Sequence, residues 1–498
     1  MESVAGAAQD VTAVADAVVE RRTGADRPLV VDLDGTLLRT DLLHEQANAL
    51  LVGSPRSALS AAVSLRRGRA ALKHELARRA GLDASGLPYH DEFVAWLRAE
   101  RMAGRSLVLA TASDAAIARQ VAEDLGIFDE VIASADGVNL KGEEKAAALV
   151  ARYGEDGFDY VGDHSVDLAV WRRAHTAHVV GSERLRRRAH AVAEPGNVWT
   201  GRRTRPRDLL GAARPMQWLK NLLVVVPLFT AQRIGVVEDV VSTALAFVAF
   251  CLVASSIYLL NDLADLANDR RHPTKKNRPF AAGRVSLLTG WVVWPVFAAA
   301  GFALSLSFLP LVFTGVLLGY LVATSAYTFV LKSRPVLDVV TLGGLYTLRI
   351  VAGAAALNVE LSMWLLTFSM FFFLSLALIK RVSELSRVRR TAGEINGRGY
   401  VESDLELLSS FGVVTGVASI VIFSLYVDDP LTSVLYRTPV ILWASVPVML
   451  TWLLRVWMLA HRGQMNEDPV LFAARDRFSL LCFAAVAACF VLAKVVVW

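Results

Sequence analysis

The sequence predicts two fold classes in one chain: a parallel α/β domain with a small helical cap, then an all-α membrane domain of about nine helices. Three observations carry this. Up to about residue 210, charged and apolar residues mix as in a soluble domain. From Pro28 to about Gly181, short apolar runs (LVVDL, SLVLAT, YVGD) alternate with helical stretches such as AAIARQVAEDLGI, the rhythm of a parallel sheet. From Leu222 onward, apolar runs of roughly 20 residues reach the length that crosses a bilayer.

In chain order, residues 1–27 form an extension, 28–182 the α/β domain, 183–213 a basic linker and 214–498 the membrane domain. The extension is Ala-rich but carries Asp10, Asp16 and Glu20, which a secretory signal would not tolerate, so the soluble domain is expected in the cytoplasm. Residues 42–97, rich in Ala, Leu and Arg, read as the cap. The linker holds SERLRRRAH and GRRTRPRD with Pro195, Gly196 and Pro206, a tether suited to anionic lipid headgroups. The formal net charge of +5 comes from this linker and the loops between apolar runs, and no nucleic-acid motif accompanies it. Cys251, Cys482 and Cys489 lie inside apolar runs without CxxC spacing, which argues against a zinc site or a disulfide framework.

Each strand-like run in the soluble domain ends in polar residues, where open α/β sheets bind ligands. In DLDGT, Asp32 and Asp34 stand two apart, so one carboxylate can attack phosphorus while the other protonates the leaving oxygen. Such a pair needs a cation, and GDHSVD supplies Asp163 and Asp167. LVLATAS ends in the Thr111 hydroxyl, and LKGEEK offers Lys145 to neutralise developing charge. Four elements in this order resemble the haloacid dehalogenase (HAD) superfamily of phosphatases, with a Rossmann-like sheet. The resemblance implies that Asp32 forms an aspartyl-phosphate, Asp34 is the general acid/base, and Thr111 and Lys145 bind phosphate. It also implies Mg²⁺ held by Asp163, Asp32 and the Asp34 carbonyl, with Asp167 in support.

Nine candidate spans follow the linker, at about 221–232, 238–260, 286–307, 309–331, 336–356, 361–379, 407–427, 438–460 and 477–497. Arg and Lys crowd alternate loops, while the opposite loops carry only Arg233 and Arg437. The positive-inside rule then puts the C-terminus outside a plasma (inner) membrane. In NDLADLANDRRHPTKKNRP, Asp262, Asp265 and Asp269 fall at i, i+3 and i+7, one helical face at about 100° per residue. Three clustered carboxylates call for metal, and the basic residues Arg270, Lys275, Lys276 and Arg278 for phosphate.

With RPMQWLKN before the first span, including Lys220 and Asn221, this segment resembles the UbiA superfamily of intramembrane prenyltransferases over about residues 210–498. That resemblance implies Mg²⁺-assisted departure of pyrophosphate, with Asn261 and the three aspartates at the metal. The second Asp-rich motif of better-known members is replaced by LIKRVSEL, with Lys380, Arg381 and Glu384, which favours an anionic group bound directly. KRxxEL, HPTKKNRP and LYTLRIVAG, with Arg349 inside an apolar span, look most like the branch making decaprenylphosphoryl-5-phosphoribose. That branch moves phosphoribose from phosphoribosyl pyrophosphate (PRPP) to polyprenyl phosphate. Two other readings stay open: prenyl transfer from a polyprenyl diphosphate to an aromatic acid such as 4-hydroxybenzoate, beside an independent phosphatase, and a non-enzymatic membrane scaffold.

Overall fold

The computed structural model describes residues 27–134, 139–201, 204–391, 399–465 and 468–496; the expected extension lies almost wholly outside them. The chain divides into two compact units, one of residues 1–212 with 260–292 and one of residues 213–259 with 293–498.

The first unit is built on a six-stranded parallel sheet in the order β3-β2-β1-β4-β5-β6. The strands are β1 (Leu29–Val31), β2 (Leu107–Asp114), β3 (Glu130–Ser134), β4 (Asp159–Gly162), β5 (Thr176–Gly181) and β6 (Glu194–Thr200). β1 is central, with Val30 in register with Val108 on one side and Tyr160 on the other. Its residues alternate between two cores, as a period of two requires: Leu29 and Val31 pack with Leu107, Leu109 and Ile117, and Val30 with Val108, Phe158 and Trp171. The strand order reverses at β1, so the crevice beyond its carboxyl end is the topological switch point.

The expected cap is present as α1 (Leu42–Gly53), α2 (Pro55–Val63) and α3 (Arg69–Ala80), followed by α4 (Asp91–Met102). Asp41 caps α1, accepting from the N–H of Leu43 at 2.8 Å. α5 (Ala115–Leu125) connects β2 to β3, and α6 (Glu143–Tyr153) connects β3 to β4. The stretch expected to be a linker differs from that reading. It opens with a helix, Glu183–Ala189, and the strand β6, which pairs only with β5. Pro195 suggested a loop, but an edge strand tolerates proline because one side of its backbone needs no partner.

Among the described residues, eight helices are long and apolar enough to cross a membrane. They are α7 (Val237–Ala264), α8 (Leu287–Phe308), α9 (Leu311–Phe329), α10 (Leu337–Leu357), α11 (Met363–Thr391), α12 (Asp404–Asp428), α13 (Ser445–His461, with its lead-in from Pro439) and α14 (Arg477–Val495). The chain is a multi-pass membrane protein. The first of the nine expected spans is instead a 3₁₀ segment, Pro215–Val225, running into a short helix, Val226–Thr230. Eleven residues at about 2 Å and five at about 1.5 Å still reach about 30 Å, the hydrocarbon thickness. The segment packs closely on α10, where a Cβ on Gly353 would come within 2.0 Å of the Val224 carbonyl oxygen.

Candidate active sites

The sheet's carboxyl edge forms the floor of a cavity of about 490 Å³, lined by Asp32, Asp34, Lys73, Lys145, Asp163 and Asp167 among others. Asp32 leaves β1 buried, and its Oδ1 accepts from Lys145 Nζ at 2.6 Å. Lys145 also donates to Tyr160 Oη at 3.0 Å, and Tyr160 to Asp167 Oδ1 at 3.2 Å. Burial works against the Lys145 charge, but Asp32 and then Asp167 outweigh it and hold the ammonium protonated. Gly35 turns the chain at φ 82°, where a Cβ would stand 2.1 Å from Asp163 Oδ2. The motif glycine therefore gives both the turn and room for the carboxylate of β4.

Asp34 is fixed by two donors, the Leu42 N–H at 2.7 Å on Oδ1 and the Ser113 hydroxyl at 2.6 Å on Oδ2. Burial, followed by the charge of Asp41, pushes its carboxyl up to about 7, the range of a general acid working near neutrality. Asp163 is pushed to about 9 by burial and then by Asp32 and Asp167. Ligand oxygens of Asp32, Asp163 and Asp167 lie within 4.8 Å of one another. Three carboxylates so close repel unless protonated or bridged, and all-oxygen donors match a hard divalent cation.

Thr111 occupies an interior position of β2, fully buried, with Oγ1 accepting from the Ser113 N–H at 3.0 Å; the wall there is Ala112. Ser113 and the cap residue Lys73 were not anticipated. Lys73 reaches from α3 to donate to the Ala112 carbonyl at 2.6 Å, and burial lowers its pKa. For Ser113 the signal was available in TAS at the strand end; for Lys73 there was none.

In the aspartate-rich segment, α7 ends at Ala264 and a six-residue helix, Leu266–Arg271, restarts after Asp265. Asp262 and Asp269 are nearly fully buried and share one guanidinium: Arg278 donates to Asp262 Oδ1 at 3.2 Å and also to Asp269 Oδ2. Asp265 is half-buried beside the break. Among the described residues only Asp32, Asp163 and Asp167 bring three such ligand oxygens together, so the three loop aspartates do not converge in that way. Arg278 stands between two of them. The Asn261 Oδ1 is buried without a hydrogen-bond partner. Arg270, expected at phosphate, instead grips Glu45 with both terminal nitrogens, at 2.6 and 2.9 Å. Lys275 and Lys276 lie on a 3₁₀ turn, Lys275–Asn277, nearby in the chain.

In the second unit Lys220 and Lys380 converge on Asp468 Oδ2, at 2.7 and 3.3 Å, and Lys220 lies over the Tyr346 ring. Burial alone would raise the Asp468 carboxyl, but Lys220 and then Lys380 hold it far below the usual carboxylate range. Arg349 is buried among the rings of Phe250, Tyr320 and Tyr346 and donates to Asn221 Oδ1 at 2.9 Å. Arg381 is spent differently. It pairs with the fully buried Asp338 at 2.5 Å and with Glu384, and donates to Tyr327 Oη. Neither Asp468 nor Asp338 was anticipated, because each meets its partners across tens to hundreds of residues.

A model of the UbiA prenyltransferase family matches residues 222–482, and one of haloacid dehalogenase-like hydrolases matches residues 29–172. An uncharacterized protein of Sinorhizobium fredii is 37% identical over 470 residues, covering 94% of this chain and 91% of that protein. The nodulation protein NoeC of Azorhizobium caulinodans is 38% identical over 282 residues, 55% of this chain and 90% of its own. The decaprenyl-phosphate phosphoribosyltransferase of Mycolicibacterium smegmatis is 39% identical over 191 residues, 38% of this chain and 60% of its own.

Proposed function

The chain belongs to the UbiA prenyltransferase family and carries an N-terminal haloacid dehalogenase-like hydrolase domain, and from that premise we propose a two-step enzyme. The membrane domain transfers 5-phosphoribose from PRPP to a polyprenyl phosphate such as decaprenyl phosphate. The soluble domain then removes the 5-phosphate of the product. The observation that carries this reading is the pair of lysines, Lys220 and Lys380, on the single carboxylate of Asp468. Lys380 stands where other family members are expected to carry aspartates, Lys220 joins it from before the first span, and the surplus of positive charge suits two phosphorylated substrates. The likeness to a decaprenyl-phosphate phosphoribosyltransferase over part of the chain points the same way.

In transfer, a phosphate oxygen of the lipid attacks C1 of the ribose as the C1–O bond to pyrophosphate breaks. Asn261, Asp262, Asp265 and Asp269 would hold Mg²⁺ once Arg278 is drawn off Asp262 and Asp269, and the partnerless Asn261 oxygen suits an oxygen-seeking cation. When bound, the metal supplies charge compensation for the departing pyrophosphate. Lys275, Lys276 and Arg278 receive the remaining phosphate charge, and Arg349 orients Asn221.

In hydrolysis, an Asp32 oxygen attacks phosphorus and the bond to the ribose oxygen breaks, with Asp34 donating a proton to the leaving alcohol. Asp34 then takes a proton from the water that cleaves the aspartyl-phosphate, releasing inorganic phosphate and restoring Asp32. Asp163 and Asp167 would hold Mg²⁺ together with Asp32, and Lys145 offsets charge on the phosphoryl oxygens. With the soluble domain cytoplasmic and the segment Pro215–Thr230 crossing alongside the eight helices, the C-terminus would lie outside. Both active sites would then face the same compartment, and tethering would raise the effective concentration of lipid-linked product at the phosphatase.

The test gives the purified chain Mg²⁺ with either PRPP and polyprenyl phosphate, or polyprenyl diphosphate and 4-hydroxybenzoate. Product in the first mixture is expected; product in the second alone eliminates the reading.

A further inference from the structure

We propose that Glu45 and Asn48, on helix α1 of the soluble domain, are positioning residues for the aspartate-rich segment of the transferase. This rests on the reading of that segment as the transferase's metal site. The Glu45 carboxylate and the Arg270 guanidinium bury each other almost completely, with Glu45 2% and Arg270 8% exposed at the side chain. Both terminal nitrogens of Arg270 engage Glu45, and the Thr40 hydroxyl donates to Glu45 Oε1 at 2.7 Å. Arg270 Nε also donates to the Ala281 carbonyl at 3.3 Å. One guanidinium therefore ties the residue after Asp269 to the far side of the same loop, and its counter-charge comes from α1.

Three positions further along α1, Asn48 Nδ2 donates to the Leu263 carbonyl at 3.0 Å, and Asn48 Oδ1 accepts from Trp291 Nε1 at 3.0 Å. Leu263 lies in the last turn of α7, where carbonyls have no partner within the helix, so Asn48 satisfies the helix end next to Asp262. The backbone adds a third contact: Gly283, at φ 67°, approaches Arg39 so closely that a Cβ would lie 2.7 Å from its carbonyl oxygen. Asp262 and Asp269 thus stand between two anchors on one rigid helix. That helix begins at Leu42, whose N–H holds the phosphatase carboxyl Asp34. The positions of the loop aspartates are set by residues more than 200 positions earlier in the chain, within the same compact unit.

The experiment uses the full chain with Glu45→Gln and, independently, Asn48→Ala. Hydrogen–deuterium exchange over residues 262–271 needs no substrate and is expected to accelerate about tenfold in each, the loss of one strong buried hydrogen bond. In the transfer assay the half-saturating Mg²⁺ concentration is expected to rise about tenfold, while phosphatase turnover on a soluble phosphate monoester stays within about twofold. Glu45→Asp, which keeps the charge, falls between wild type and Glu45→Gln. Unchanged exchange in both variants, or an unchanged Mg²⁺ requirement in both, overturns the proposal. Accelerated exchange in a chain whose wild type transfers neither substrate pair would instead overturn the proposed function and leave the anchoring intact.

Discussion

The cavity on the sheet and the aspartate-rich loop are made of the same materials, several carboxylates and a few cations, yet they solve the problem of surplus negative charge in opposite ways. In the cavity, Asp34 and Asp163 are driven toward their protonated forms by burial and by neighbouring carboxylates, while Lys145 is committed to Asp32. In the loop, guanidinium groups pair with the acids directly: Arg278 with Asp262 and Asp269, Arg270 with Glu45. The first arrangement is an incomplete set of ligands whose missing charge a divalent ion can supply. The second is closed by internal ion pairs that a metal would have to displace or join. The contrast teaches that a motif's residue types announce its chemistry, whereas its resting electrostatics depend on partners the motif does not contain.

The largest expected effect separates the two regions outright. Asp32→Asn should lower phosphate release by about a thousandfold or more while leaving transfer intact, so that a phosphorylated lipid-sugar accumulates on thin-layer chromatography. Normal phosphate release by this variant would remove the phosphatase assignment. On the other side, Asp262→Asn should reduce transfer by about a hundredfold and spare hydrolysis of a soluble ester, as measured by product formation at saturating Mg²⁺.

A third prediction sharpens the electrostatic contrast. The folded pKa values of Asp34 and Asp163 stand above the ordinary carboxylate value of 3.8, at about 7 and about 9. Their contribution is therefore fully present below about pH 4 and lost as pH rises through 7 and 9. In chelator, the melting temperature of the soluble domain should carry a component that falls across that window, and Mg²⁺ should remove it. His178 works in the opposite sense at lower pH: burial holds it near 4, so its contribution is lost as pH falls from about 6.5 toward 4. Its Nδ1 accepts from the Asn197 N–H at 2.9 Å, and protonation would forfeit that bond. The smallest effect concerns the cap. Lys73→Ala should raise KM for a phosphorylated substrate by about tenfold with little change in kcat, as removal of uniform binding does.

How much of this was legible in the sequence depended on distance along the chain. Asp32, Asp34, Asp163 and Asp167 were readable because strand ends and motif spacing are local, and the sheet's alternation followed from its apolar runs. Eight of the nine spans were readable from apolar length alone. The remaining one, at about 221–232, was legible as a candidate but not in its form: Asn221 and Pro227 break its apolar run, it begins earlier at Pro215, and 3₁₀ winding makes up in rise what it lacks in residues. β6 was hidden by Pro195 and Gly196, which signal a loop unless the strand is known to be an edge. Glu45, Asp338 and Asp468 were invisible for a common reason. Each is an acid whose meaning lies in a cation far away in sequence, and no periodicity points across such a gap.

The Glu45–Arg270 pair has a practical corollary for anyone dividing this polypeptide. The two family matches invite a cut in the stretch after Thr200, as though each half were a separable cassette. Either fragment would inherit a formerly sheltered ion with nothing opposite it, a loss of roughly 3–5 kcal/mol. A poorly behaved C-terminal fragment would therefore report an orphaned arginine and say little about whether the intact chain can make its product.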